Sequence, residues 1–79
     1  PVVLQPGDAV YRDGDAAGPL YLIQEGRVRI LRARHGRPTE VSHLGAGEYF
    51  GEVSAVKGTP RTATVEAATP VRLLTLSGD

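Results

Sequence analysis

The chemistry in this sequence is concentrated between Gly51 and Val65. Gly51 has no Cβ, so a ligand can approach the backbone closely there. A helical turn starting near it leaves its first amide N–H groups without intrahelical acceptors. With the local dipole, those groups form a site for an anion. Gly58-Thr59-Pro60 turns the chain back, and Arg61 then stands at the head of a strand, within reach of the same site. A planar guanidinium suits a phosphate because two N–H groups bond two oxygens at once. Thr62 and Thr64 offer hydroxyls. Glu52 is the odd member, since a carboxylate repels a phosphate. It makes sense as an acceptor for a different part of the ligand, such as a sugar hydroxyl. An anion cradle with one carboxylate acceptor reads as a site for a sugar phosphate or a nucleotide. The plainer alternative for Glu52 and Arg61 is a structural salt bridge.

These residues must be positioned by a small scaffold. The chain has 79 residues, enough for one domain. A domain of this size buries only about 60–65% of its unfolded surface, so its stability margin is thin. It has no Cys, Met or Trp, and its aromatic residues are Tyr11, Tyr21, Tyr49 and Phe50. The core must therefore be built from Val, Leu, Ile and Ala. Nine basic residues balance nine acidic ones, which argues against direct nucleic-acid binding. No apolar stretch is long enough for a transmembrane helix, and no segment has the layout of a signal peptide. The chain starts at Pro1 without Met and is read as a piece of a longer, cytoplasmic protein.

Glycine and proline cut the chain into short segments. Strands are expected at Val2–Leu4, Ala9–Arg12, Leu20–Gln24, Arg27–Arg34, Thr39–Leu44, Ala63–Ala67 and Val71–Leu76, with one short helical turn at Gly51–Val56. The clearest alternation is in the fourth segment. Val28 and Ile30 point one way, and Arg27 and Arg29, with Arg32 grouped beside them, point the other. Regularly spaced short strands between turn signals indicate an all-β sandwich or barrel. Gly7, Gly14, Gly26 and Gly47 read as turn residues, and Asp13 and Asp15 as partners in local turn hydrogen bonds.

Phe50-Gly51-Glu52, a short helix and Arg61-Thr62-Ala63-Thr64-Val65 resemble the phosphate-binding cassette of cyclic-nucleotide-binding domains. Catabolite-activator-type regulators, regulatory subunits of cyclic-nucleotide-dependent kinases, and cyclic-nucleotide-gated channels share it. Gly58-Thr59-Pro60 is similar to the kinase version. Gly7–Asp15, Leu20–Ile30 and Gly45–Phe50 resemble the family's earlier strands and turns, so the likeness covers nearly the whole chain. The resemblance implies a jelly-roll-like β-roll of about eight short strands. It implies that Glu52 accepts from the ribose 2′-OH and that Arg61 pairs with the cyclic phosphate. Backbone N–H groups near Val53, Ser54 and Ala63 would add phosphate contacts, and Thr62 would reach the phosphate. A hydroxyl at that position also helps bind a syn guanine in the family, so the ligand is left as cAMP or cGMP. The family usually has a helix before the roll and two after it, the last serving as a lid over the base. The sequence stops at Asp79, just past the final expected strand.

The expected function is that of a regulatory sensor module, not an enzyme, because no nucleophile–base pair is visible. Binding would bias an attached effector in the parent chain, through which copies could also associate. No cofactor, metal, membrane or nucleic-acid partner is expected for the domain itself. A ligand-free structural domain of the same fold remains the alternative. A cupin-like metal enzyme would need several converging His and a Glu, and His35 and His43 are the only histidines. The arginines from Arg27 to Arg37 read as a solvated strand face.

Overall fold

The computed structural model describes residues 1–76. Eight strands and one helix follow in the order β1 (Val2–Leu4), β2 (Ala9–Tyr11), β3 (Leu20–Glu25), β4 (Arg27–Arg34), β5 (Arg37–Gly45), β6 (Tyr49–Phe50), α1 (Glu52–Lys57), β7 (Thr64–Ala67) and β8 (Val71–Leu76). They form two four-stranded sheets, ordered β1-β8-β3-β6 and β2-β7-β4-β5, with every pairing antiparallel. This is the jelly-roll arrangement the sequence suggests. The first and last strands are neighbours, with Val2 facing Leu73.

Alternation explains the packing of β4. Val28 is fully buried and Ile30 half-buried, while Arg29 lies on the opposite face and meets Glu66 of β7 at 3.2 Å. Both members of that pair are partly exposed, so the pair contributes at most about 1 kcal/mol. Val28 joins Ile23, Phe50, Val65, Ala67, Val71 and Leu73 in one buried cluster between the sheets. Burial of side chains like these, at roughly 1.5–3 kcal/mol each for the larger ones, holds the sandwich closed.

Apart from shifts of one or two residues at element ends, including β5 starting at Arg37 rather than Thr39, two features depart from expectation. The two-residue strand β6 is too short for any sequence periodicity. It exists because Phe50 and Tyr49 pair with Tyr21 and Leu22 of β3. Arg32 does not share a face with Arg27 and Arg29. The pairing of β4 with β5 passes from Ile30–Ser42 to Leu31–Glu40, leaving Val41 as an extra residue on β5. The bulge bends β5 and leaves β4 regular, so Arg32 stays on the side of Val28 and Ile30.

Candidate functional site

The helix that supports the site is bounded by two left-handed glycines, Gly51 at φ 88° and Gly58 at φ 68°. It starts one residue after the expected turn and ends one residue later. Its first hydrogen-bonded amide is that of Ala55, which donates to the Gly51 carbonyl at 3.1 Å. The amides of Glu52, Val53 and Ser54 come before it and have no acceptor within the helix. Gly58 N–H donates to Ser54 O at 2.8 Å, and buried Ser54 Oγ donates to Thr59 O at 2.7 Å. The Ser54 hydroxyl therefore fastens the return loop.

Arg61 is held more firmly than its sequence position suggested. Only 4% of it is exposed. Its backbone N–H donates to Asp15 O at 2.8 Å, and its carbonyl accepts from Gly14 N–H at 2.9 Å. Its guanidinium donates to Pro19 O at 2.8 Å and to Gly51 O at 3.2 Å. The same group lies 4.0 Å from the centroid of the Tyr11 ring, a cation–π contact. Tyr11, Tyr21 and Phe50 form one aromatic cluster, with Tyr21 stacked on Phe50 at 5.3 Å. Burial raises the Tyr11 hydroxyl above its ordinary pKa of 10.0, while the Arg61 charge pulls it down and Glu52 and Tyr21 push it up.

Among the described residues, Arg61 has no carboxylate partner and Glu52 is exposed and unpaired. The structural salt bridge between them is absent. A buried guanidinium satisfied only by carbonyls keeps its full positive charge, and in a low-dielectric wall that charge attracts an anion strongly.

A cavity of about 310 Å³ brings the expected residues together. Gly51, Glu52, Val53, Ser54, Arg61, Thr62 and Ala63 all line it. Tyr11, Ile30, Arg32, Leu44 and Tyr49 line it too, and sequence reasoning did not place them there. Ile30 and Leu44 showed only an ordinary core pattern, and Arg32 was assigned to the wet face. Thr64 lies outside the lining. Its hydroxyl accepts from Asp13 N–H at 3.0 Å, so it ties down the loop before β3. Asp15 makes the expected local turn bond, accepting from Arg12 N–H at 2.9 Å. Among the described residues, no group of three or more His, Cys, Asp or Glu could hold a metal ion. Among the same described residues, no helix is long and apolar enough to cross a membrane.

Comparison with known proteins places the chain in a family. The family model described as "Cyclic nucleotide-binding domain" matches residues 1–79. A cyclic nucleotide-gated potassium channel of Rhizobium etli is 42% identical over 76 residues, covering 96% of this chain and 20% of the channel. A cAMP-dependent protein kinase regulatory subunit of Yarrowia lipolytica is 38% identical over 77 residues, covering 98% of this chain and 20% of the subunit. The chain thus spans about a fifth of the length of these relatives. The cAMP-bound form of an EAL enzyme superposes with a TM-score of 0.90 at 31% identity, covering 98% of this chain and 21% of that one. The cGMP-bound form of the same enzyme gives 0.91.

Proposed function

The chain belongs to the cyclic nucleotide-binding domain family, and we propose that its cavity binds cAMP or cGMP by the phosphate and the ribose. The observation that carries this reading is the buried Arg61 guanidinium, charged and without a carboxylate partner among the described residues. It stands on the wall of a cavity that also receives the first turn of α1. Arg61 and the amides of Val53, Ser54 and Ala63 hold the cyclic phosphate. Gly51 admits the close approach. Thr62 donates to a phosphate oxygen, and exposed Glu52 accepts from the ribose 2′-OH.

The domain acts as a regulatory sensor. Ligand binds one arrangement better than another, and that difference in affinity moves an attached effector. The effector lies elsewhere in a longer cytoplasmic parent chain, and any association of copies runs through it. In the Rhizobium etli channel and the Yarrowia lipolytica kinase subunit the matching region is a fifth of the chain, which supports a part rather than a whole.

Calorimetric titration with cAMP, cGMP and adenosine tests the reading. Both cyclic nucleotides are expected to bind and adenosine, which lacks the phosphate, to bind far more weakly. Glu52→Ala should weaken cAMP by about tenfold, as for one hydrogen bond to a charged group. 2′-Deoxy-cAMP should bind the unaltered chain about as weakly, and the two losses should not add. Additive losses would show that Glu52 does not touch the 2′-OH.

Gly18 offers a second test. Its backbone does not lie in the left-handed region, so alanine is tolerated there, but a Cβ would sit 2.7 Å from Arg61 Nη2. That guanidinium nitrogen must then leave the Pro19 carbonyl. Gly18→Ala is expected to weaken cAMP by about tenfold and, because the Pro19 carbonyl loses its donor, to lower the circular-dichroism melting midpoint by several degrees. Unaltered affinity would mean that the clamp does not set the orientation that matters.

A further inference from the structure

One cation in the cavity has no part in the site as described above. Arg32 lines the cavity with Arg61 and Glu52, and among the described residues none of the three is ion-paired. Register fixes its surroundings. β4 and β7 pair through Ile30–Val65 and then Leu31–Thr64. Facing residues of antiparallel strands project to the same side, so one step further Arg32 shares the cavity side with Ala63, between Thr62 and the end of β7. On its other flank Arg32 pairs with Thr39 of β5. Neither neighbouring strand sets a carboxylate opposite it. Beyond this point β4 and β5 run on as a hairpin, and every residue from Arg32 to His43 is exposed. Arg32 is therefore a long, exposed cation at the root of a solvated arm, beside the segment that carries Arg61 and Thr62. Two arginines against one glutamate give the cavity lining an excess of one positive charge, opposite in sign to a cyclic monophosphate.

We propose that Arg32 is a second phosphate-binding cation of this site, reaching the phosphate from β4 while Arg61 holds it from the other flank. The proposal rests on the cyclic-nucleotide reading of the cavity. Arg32 is exposed, so its contribution is screened by salt and smaller than that of Arg61. A phosphate contact is common to cAMP and cGMP, whereas a contact to the base is not.

The test is a calorimetric titration of the unaltered chain, Arg32→Ala and Arg32→Lys with cAMP and with cGMP, at low and high salt. Arg32→Ala is expected to weaken both nucleotides by the same factor, about five- to tenfold at low salt, with a smaller loss at high salt. Arg32→Lys should retain most of the affinity, since a point charge suffices at an exposed position. Unchanged affinity in Arg32→Ala would overturn the proposal. So would a loss that differs clearly between the two nucleotides, which would assign Arg32 to the base. If the unaltered chain binds neither nucleotide, the reading of the cavity itself fails, and the proposal with it.

Discussion

Arg61→Ala is expected to weaken cyclic-nucleotide binding by about 30- to several-thousand-fold, the equivalent of roughly 2–5 kcal/mol for a desolvated charge pair. The phosphate would lose its most buried positive charge, and the α1 amides alone cannot replace it. From the sequence alone, the same substitution is expected to change stability much less than binding. The structure revises that expectation. The Arg61 guanidinium satisfies the Pro19 and Gly51 carbonyls and covers the Tyr11 ring. Its removal leaves two carbonyls short of a donor and opens space in the wall, at a cost of about 2–4 kcal/mol. Binding and folding must therefore be measured apart, by calorimetry below the melting transition and by urea denaturation without ligand. Arg61→Lys keeps a charge and most of the stem, so it should recover stability better than affinity. An Arg61→Ala chain that is folded and binds cAMP like its parent would remove the phosphate site from the account.

Gly26→Ala should be strongly damaging to the fold. Gly26 turns β3 into β4 at φ 90°, where an L side chain is strained by about 1–2 kcal/mol. A Cβ there would also collide with the Pro70 carbonyl oxygen and lie 3.0 Å from the Val71 Cα. Those are backbone atoms at the start of β8, and they cannot swing aside as a side-chain tip can. Overpacking of this kind adds about 1–3 kcal/mol. Thr69 Oγ1 also accepts from Arg27 N–H at 3.0 Å in the same turn. A domain of this size has roughly 4–12 kcal/mol of stability in total. The expected loss of at least about 3 kcal/mol, read as a fall in the urea midpoint, is thus a large fraction of it. Gly36→Ala, at φ 76° with nothing within 4 Å of the added Cβ, should lose only the strain. Equal losses at the two glycines would show that the Pro70 approach is not as close as the structure has it.

The sequence revealed the strands with internal alternation and the loops marked by Gly and Pro. Val28 and Ile30 showed β4, and Gly58-Thr59-Pro60 showed the return after α1. The cassette residues were legible because their types are chemically unusual together: a carboxylate and a guanidinium flanking a glycine-led turn. What escaped notice depends on partners distant in sequence. β6 exists only through its pairing with β3. The face of Arg32, by contrast, follows from unbroken alternation with Val28 and Ile30, and the β5 bulge at Val41 leaves that alternation intact. The inward clamp on Arg61 is made by carbonyls at Pro19 and Gly51, and a carbonyl has no residue type to read. Thr64 looked like a ligand hydroxyl, but its partner is the Asp13 amide 51 positions earlier.

In the proposed site, the first turn of α1 and the Arg61 guanidinium together hold a phosphate. The most direct measurement is a ¹H–¹⁵N spectrum of the chain titrated with cAMP and, separately, with adenosine. Cyclic AMP is expected to move the Val53, Ser54 and Ala63 amide signals and the Arg61 Nε–H signal, all downfield as they bond an anion. Adenosine should leave those four in place. Signals from α1 and Arg61 that stay still at saturating cAMP, or that respond equally to adenosine, would contradict that arrangement.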